Sequence, residues 1–322
     1  MKKFLLAVIL PLFLAVLGFL IVGEIVLRSL PGDIKYKSEY MNKNASRIKI
    51  LVLGPSTTSM GVKPAYFDIQ PSFNCAMGAQ GIEEDYWILS KYIDQMDSLR
   101  VVILDFPAIG VVESTKGANN AQDEVMGVGN TSRTKKYRIY YDCPYYTGIE
   151  NNFEITSGVS DVIRTILVNS TNKSPDMFLS IDKEDGYQSH YFVEMSDDEQ
   201  QWRHSAANII NRLNKSKTMT RDEQHWDYLE KMITLCDNHG VIVLLVTCPT
   251  HPFYYSLLDP ERHELRKNQA HELEEKYTNV KYIDGLEFPL TQKEMFNPNH
   301  LNPAGAEKFT RMLNDTIMSI IK

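Results

Sequence analysis

Ile48-Lys-Ile-Leu-Val-Leu-Gly-Pro-Ser56 is an almost unbroken aliphatic run that stops at a Gly-Pro turn and is followed at once by a hydroxyl. A run that is β-branched and aliphatic without alternating predicts a parallel strand buried on both faces. Similar runs recur at Phe73–Met77, Arg100–Asp105, Val241–Thr247 and, more weakly, Val280–Asp284. Between them, Glu83–Met96, Arg221–Asn238, Glu261–Tyr277 and Pro303–Ile321 space apolar residues as helices do. Strands alternating with helices of this length predict an α/β fold: three layers, α/β/α, around a parallel, flavodoxin-like sheet of about five strands. In such sheets binding residues collect beyond the carboxyl ends of the strands, so Gly54-Pro55-Ser56, Met77-Gly78, Asp105-Phe106-Pro107 and Thr247-Cys248-Pro249 should face one crevice.

Upstream of this domain, Phe4–Gly23 carries no charge and follows Lys2 and Lys3. Twenty such residues reach across a hydrocarbon core of about 30 Å, and the preceding lysines favour a cytoplasmic N-terminus. Residues 1–30 are therefore read as a single-pass signal anchor that leaves the domain extracytoplasmic, in the periplasm if the cell has an outer membrane. The competing reading, a cleaved signal peptide, needs a small-x-small site, and Glu24-Ile-Val-Leu-Arg28 supplies none. Residues 31–46 are polar, open with Pro-Gly and suit a stalk, with the folded domain over 47–322. Within it, residues 109–220 break the strand–helix alternation, showing one clear helical stretch at Ser157–Asn169, and are read as an insertion or lid. Tyr137-Arg-Ile-Tyr-Tyr141 and Tyr145-Tyr146 in that insertion could stack on sugar rings or simply pack a strand.

Composition narrows the partners. The chain has 322 residues and a net charge of −7 without a basic run, which argues against nucleic acid. Four cysteines, Cys75, Cys143, Cys236 and Cys248, are too few and too irregular for a disulfide scaffold; most sit in apolar surroundings and read as buried small hydrophobes. The eight histidines form no ligand pair beside carboxylates, and no glycine-rich phosphate loop is present, so neither metal nor cofactor is expected.

Two loops carry the chemistry. Ser56 follows the first strand at a turn able to lift its hydroxyl to the top of the sheet, although Ser is also a common helix cap. His300 lies in Phe296-Asn-Pro-Asn-His-Leu-Asn-Pro-Ala-Gly305, just before the last helix. A nucleophile and a base in the first and last loops of one parallel sheet can meet at its carboxyl edge. His251 and Tyr254, in Thr247-Cys-Pro-Thr-His-Pro-Phe-Tyr-Tyr255, belong to the same rim; with Asp105 they are candidate substrate contacts, His251 being more readily read as structural.

Gly54-x-Ser56, Asn74-Cys-Ala-Met-Gly78-Ala-Gln80-Gly81 and Asn299-His300-Leu-Asn302-x-x-Gly305 resemble, in order and spacing, the first, second and last sequence blocks of the SGNH (GDSL-type) hydrolases, particularly the membrane-tethered relatives in envelope polysaccharide O-acylation. The resemblance implies an esterase or O-acyltransferase acting on an acylated, above all acetylated, envelope carbohydrate. In that scheme Ser56 is the nucleophile and His300 the base. The backbone N–H groups of Ser56 and Gly78 are oxyanion donors, with Gln80 or Asn74 as a side-chain donor or as a turn amide. Three features depart from the family pattern. Gly-Pro-Ser replaces Gly-Asp-Ser, the segment Asp105-Phe-Pro-Ala-Ile-Gly110 lacks the family's Asn, and Asn297 stands where the family has its triad Asp. The last departure keeps a second reading open: a non-catalytic glycan-binding protein or an accessory of a membrane-embedded acyltransferase. A Ser-His dyad alone, or Asp284 approaching His300, are the ways the first reading survives it.

Overall fold

The computed structural model of the chain describes residues 2–111, 130–156, 179–189, 197–213 and 220–321. They divide into two compact units, residues 1–38 with 127–179, and residues 39–126 with 180–322. In chain order the first elements are α1 (Lys2–Ser29) and α2 (Asp33–Asn44). The segment read as a stalk is thus largely helical. Asp33 in its first turn and Lys43 in its last oppose the helix dipole correctly, and the half beyond Glu39 belongs to the second unit, where Met41 is buried and Tyr40 stacks on Phe73 at 4.0 Å.

The second unit continues with β1 (Ile50–Leu53), α3 (Ser56–Gly61), β2 (Ser72–Asn74), α4 (Ile82–Tyr92) and β3 (Val101–Asp105). In the first unit, α5 (Asn130–Tyr141) includes the tyrosine-rich stretch as a helix rather than a strand, with Tyr137 and Tyr141 buried and stacked on each other at 5.8 Å. Tyrosines three to four apart meet on a helix face, which removes these two from any sugar-stacking surface. The helix expected at Ser157–Asn169 lies outside the described residues. The second unit then resumes with α6 (Glu199–Leu213), α7 (Glu223–Asn238), β4 (Ile242–Thr247), the single turn α8 (Pro252–Tyr255), α9 (Pro260–Lys276), β5 (Val280–Asp284), the short hairpin β6 (Met295–Asn297) and β7 (His300–Leu301), and α10 (Pro303–Ile320).

Five strands form one sheet in the order β2-β1-β3-β4-β5, every pair parallel. β1 is buried along its whole length, as its aliphatic run requires. On one face α10 sets Phe309, Leu313 and Ile317 against Ile50, Val52 and Leu244. Asn302 starts that helix by accepting from the N–H groups of Ala304 (3.0 Å) and Gly305 (3.1 Å), with Pro303 at the first helical position. Strand order reverses at β1, with β2 on one side and β3 on the other. The two connections leaving β1 and β3 therefore diverge, and the carboxyl ends of these two strands mark the switch point of the sheet. Ser56 and Asp105 stand at that point.

Candidate active site

The turn after β1 is built by a glycine. Gly54 has φ +131°, a region that L side chains rarely adopt, and a Cβ there would come within 2.7 Å of the Asp105 Cβ and 2.5 Å of the Thr58 hydroxyl. Chain direction reverses in this tight space and delivers Ser56 as the first residue of α3.

His300 reaches the same place from the other end of the domain. Its Nε2 lies 2.8 Å from Ser56 Oγ, and its Nδ1 lies 3.0 Å from Asn297 Oδ1. The Asn299 N–H also donates to Asn297 Oδ1, at 3.1 Å, which identifies that atom as the amide oxygen. An oxygen opposite Nδ1 requires the proton on Nδ1 and leaves Nε2 bare to accept from Ser56. The geometry is a continuous Ser-His-Asn chain in which the third member orients the imidazole without carrying charge. Asp284 plays no part: its carboxylate is paired with Arg266 Nη2 at 2.7 Å and accepts from the Leu286 N–H.

Burial sets the basicity of His300. Desolvation of the cation lowers its pKa from 6.5 to about 4, so the ring is neutral at physiological pH. Asp105 moves the other way: burial raises its pKa to about 6, against the hydroxyls of Thr57 (3.0 Å) and Thr58 (3.2 Å), which donate to Oδ1 and favour the anion. Asp105 therefore grips the two residues that follow Ser56. Asp85, which the sequence does not single out, supports the turn from below by accepting from the Gly54 N–H (3.0 Å) and from the Gln80 amide. Its burial holds it well above the usual carboxylate range.

These shifts have opposite consequences for stability. Between pH 6.5 and 4 the unfolded His takes a proton that folded His300 refuses, so its contribution is intact above 6.5 and is lost as pH falls; the slope is about 1.4 kcal/mol per pH unit at most. Folded Asp105 instead holds a proton that the unfolded chain releases above 3.8, so its contribution is lost as pH rises towards 6. The two oppose each other between pH 4 and 6. Relative to wild type, His300→Gln should lose stability as pH is raised across that window and Asp105→Asn should gain it, as read by urea unfolding of each variant at both ends. Parallel behaviour of both variants and wild type would contradict this assignment.

The remaining residues singled out from sequence divide clearly. Gly78 sits in the turn Met77–Gln80, and the Met77 N–H donates to the Gly54 carbonyl at 3.0 Å, which ties that turn to the Ser56 turn. Asn74 is fully buried and its amide donates to the carbonyls of Val62 (2.7 Å), Thr58 (3.1 Å) and Ser59 (3.4 Å), while its oxygen accepts from the Ala76 N–H. Its donors are thus spent in holding α3, not directed at the crevice. The Gln80 amide is directed at Asp85. His251 caps α8 by accepting from the Phe253 N–H at 3.2 Å, packs against Trp202 and Phe253, and through its own N–H holds the Pro298 carbonyl at 2.8 Å, two residues from His300. Burial lowers its pKa. Tyr254 is packed among Ala206, Ile210, Leu258 and Leu286, so it faces the core and not a ligand. All four cysteines are buried and none forms a disulfide.

A further support has no counterpart among the residues expected from sequence. Residues 180–189, inside the expected insertion, dock on α3: Ser59 Oγ donates to Gln188 Oε1 at 2.6 Å, the Gln188 N–H returns to the Ser59 carbonyl at 3.0 Å, and the Asn74 N–H donates to the Asp185 carbonyl at 2.7 Å. Arg266 and Gln269 similarly hold the loop after β3, through the Ala108 carbonyl and both polar groups of the Val111 backbone. No local signal announces such long-range amide and guanidinium contacts.

A family model matches residues 139–322, more than half of the chain. Among solved structures, the chain is similar to a "putative acylhydrolase" from Bacteroides fragilis at 9% identity, covering 88% of this chain and 96% of that one, with a TM-score of 0.41. It is also similar to a "putative platelet activating factor" from Streptococcus pneumonia at 11% identity, covering 95% and 97%, with a TM-score of 0.37. No curated protein matches its sequence.

Proposed function

We propose that the domain is an SGNH-type serine esterase or O-acyltransferase that removes or transfers an acyl group, acetyl first, on an envelope carbohydrate. The observation that carries this reading is the chain Ser56 Oγ, His300 Nε2, His300 Nδ1, Asn297 Oδ1, with links of 2.8 and 3.0 Å, at the switch point of the sheet. Ser56 Oγ attacks the acyl carbonyl as its proton passes to His300 Nε2. The C–O bond to the sugar then breaks, and that proton leaves with the sugar oxygen. Water or an acceptor hydroxyl gives its proton to His300 and attacks the acyl-Ser56 ester, and His300 returns the proton to the departing Ser56 Oγ. The backbone N–H groups of Ser56 and Gly78 receive the developing oxyanion, each such donor contributing about 3 kcal/mol of barrier lowering. Asn297 fixes the tautomer but, as an uncharged amide, brings no counter-charge of its own to the transient imidazolium, so turnover is slow.

The carbohydrate, the extracytoplasmic placement and the orientation of α1 with its N-terminus in the cytoplasm belong to this proposal. They are supported by the family resemblance, by Lys2 and Lys3, and by the length of α1, whose residues Ala7–Ser29 are long and apolar enough to cross a membrane. Asn297 in the place of the family Asp also favours a second reading, a non-catalytic glycan-binding or accessory protein of a membrane-embedded acyltransferase. Incubation with an aryl acetate and with acetylated oligosaccharide separates the two. An acetyl adduct on Ser56 by intact mass and peptide mapping, discharged more quickly when an acceptor sugar is present, is the expected result. Unmodified Ser56 with retained sugar binding would favour the second reading.

A further inference from the structure

Outside α1, large apolar side chains exposed to solvent are few among the described residues: Ile149 at 78%, Leu257 at 45%, Phe153 at 44%, Met318 at 42% and Tyr145 at 39%. Single exposed hydrophobics such as Leu257 and Met318 are ordinary. The other three are different, because they fall together in residues 145–153 of the first unit, and that stretch is fastened to the end of α1.

The fastening is specific. The Glu24 carboxylate accepts from the backbone N–H groups of Glu154 (3.1 Å) and Ile155 (2.9 Å) and from Arg28 Nε (2.6 Å). Arg28 Nη2 donates to the Asn152 carbonyl at 2.7 Å, and Arg138 Nε of α5 donates to Asn152 Oδ1 at 3.0 Å. Ile155 fills a notch made by Gly23, where a Cβ would stand 2.6 Å from the Ile155 Cδ1. An acidic side chain in the last turns of an apolar helix is costly unless its oxygens are engaged, and here they are engaged by this stretch and by Arg28.

Helix geometry gives the height of that contact. At about 1.5 Å per residue, Phe4–Gly23 takes up about 30 Å, one hydrocarbon core, so a helix that enters after Lys3 leaves the core at Gly23 and Glu24. The stretch tied to Gly23, Glu24 and Arg28 therefore lies at the level where α1 meets the headgroups. We propose that residues 145–155 form a membrane-interface loop beside α1, with Ile149 and Phe153 inserted at the boundary between headgroups and acyl chains and Tyr145 placed among the headgroups. Apolar side chains with a tyrosine at the polar level are what an interface of this kind accepts. The loop gives the first unit a second attachment next to the helix and fixes its height and rotation on the bilayer, which a lone helix leaves free.

The interface loop rests on α1 crossing the bilayer, and one experiment tests both. The full chain, with its four buried native cysteines, is reconstituted in phospholipid vesicles after nitroxide labelling of Ile149→Cys, Phe153→Cys, Leu14→Cys in the middle of α1, or Asp227→Cys, an exposed polar position. Collision with oxygen, which concentrates in lipid, is compared with collision with a water-soluble nickel chelate. Oxygen should dominate at Leu14, Ile149 and Phe153 and the chelate at Asp227, with several-fold contrast. Oxygen dominance at Leu14 alone, with chelate access at Ile149 or Phe153 equal to that at Asp227, would overturn the interface loop while leaving the anchor. Chelate dominance at Leu14 would overturn both.

Discussion

Replacing Asn297 with Asp is expected to raise kcat for ester turnover by about 10²- to 10³-fold, since the reverse change, Asp to Asn in a serine-protease triad, costs about 10⁴ in rate. The site is already shaped for it. Asn297 Oδ1 accepts from His300 Nδ1–H and from the Asn299 N–H, and a carboxylate oxygen in the same place accepts both. What changes is charge. In the native chain burial lowers His300 to about 4, whereas a carboxylate in place of the Asn297 amide favours the imidazolium and raises the pKa. The acid limb of the rate profile should accordingly sit near pH 4 in wild type and move upward in Asn297→Asp, while the plateau rises. An unchanged plateau would mean that His300 does not collect the Ser56 proton in the transition state.

Ser56→Ala and His300→Ala should each lower kcat/KM by at least about 10³-fold, and the double variant should lose little more than either alone, because residues acting as one unit are not additive. His300→Gln is the companion variant: it keeps the volume and a polar contact to Ser56 but cannot take the proton. A loss under tenfold in His300→Gln would indicate that Ser56 is activated by some other group. Unfolding measured alongside separates lost chemistry from a lost fold, since His300 is buried where the β6–β7 hairpin meets α3.

Much of this arrangement is legible in the chain, for physical reasons that also explain the rest. β1, β3 and β4 are buried on both faces, and such strands can only be continuous aliphatic runs, so Ile50–Leu53, Val101–Asp105 and Ile242–Thr247 can be read directly. The position of Ser56 follows from that sheet, because it lies just past the carboxyl end of β1, whereas His300 sits in the separate β6–β7 hairpin and is read from its loop before the last helix. The polar scaffold is not legible in the same way. Asn74 resembles an oxyanion donor because it ends β2 at the carboxyl edge of the sheet, yet its hydrogens turn back to three carbonyls of α3 and the turn after it. Asp85 has the look of an ordinary acidic residue of a helix first turn, and only the fold shows it under Gly54. The tyrosines of residues 137–141 fit a strand or a helix by composition, and packing decides for the helix. Residues 180–189 carry no strong periodicity, and their role depends on Gln188 and Asp185 meeting α3 and β2 from more than a hundred residues away.

Whether Ser56 is a nucleophile, activated by a neutral His300 that an uncharged Asn297 holds in place, is decided by covalent labelling. The full chain, in detergent, is treated with a fluorophosphonate and read by intact mass, with Ser56→Ala, His300→Ala and Asn297→Asp alongside. One adduct is expected on wild type, placed on Ser56 by peptide mapping, with none on Ser56→Ala, a trace on His300→Ala and faster labelling of Asn297→Asp. A folded wild type that takes no label, together with an unlabelled Asn297→Asp, would contradict an activated serine and make the Ser-His-Asn chain a structural remnant in a binding protein.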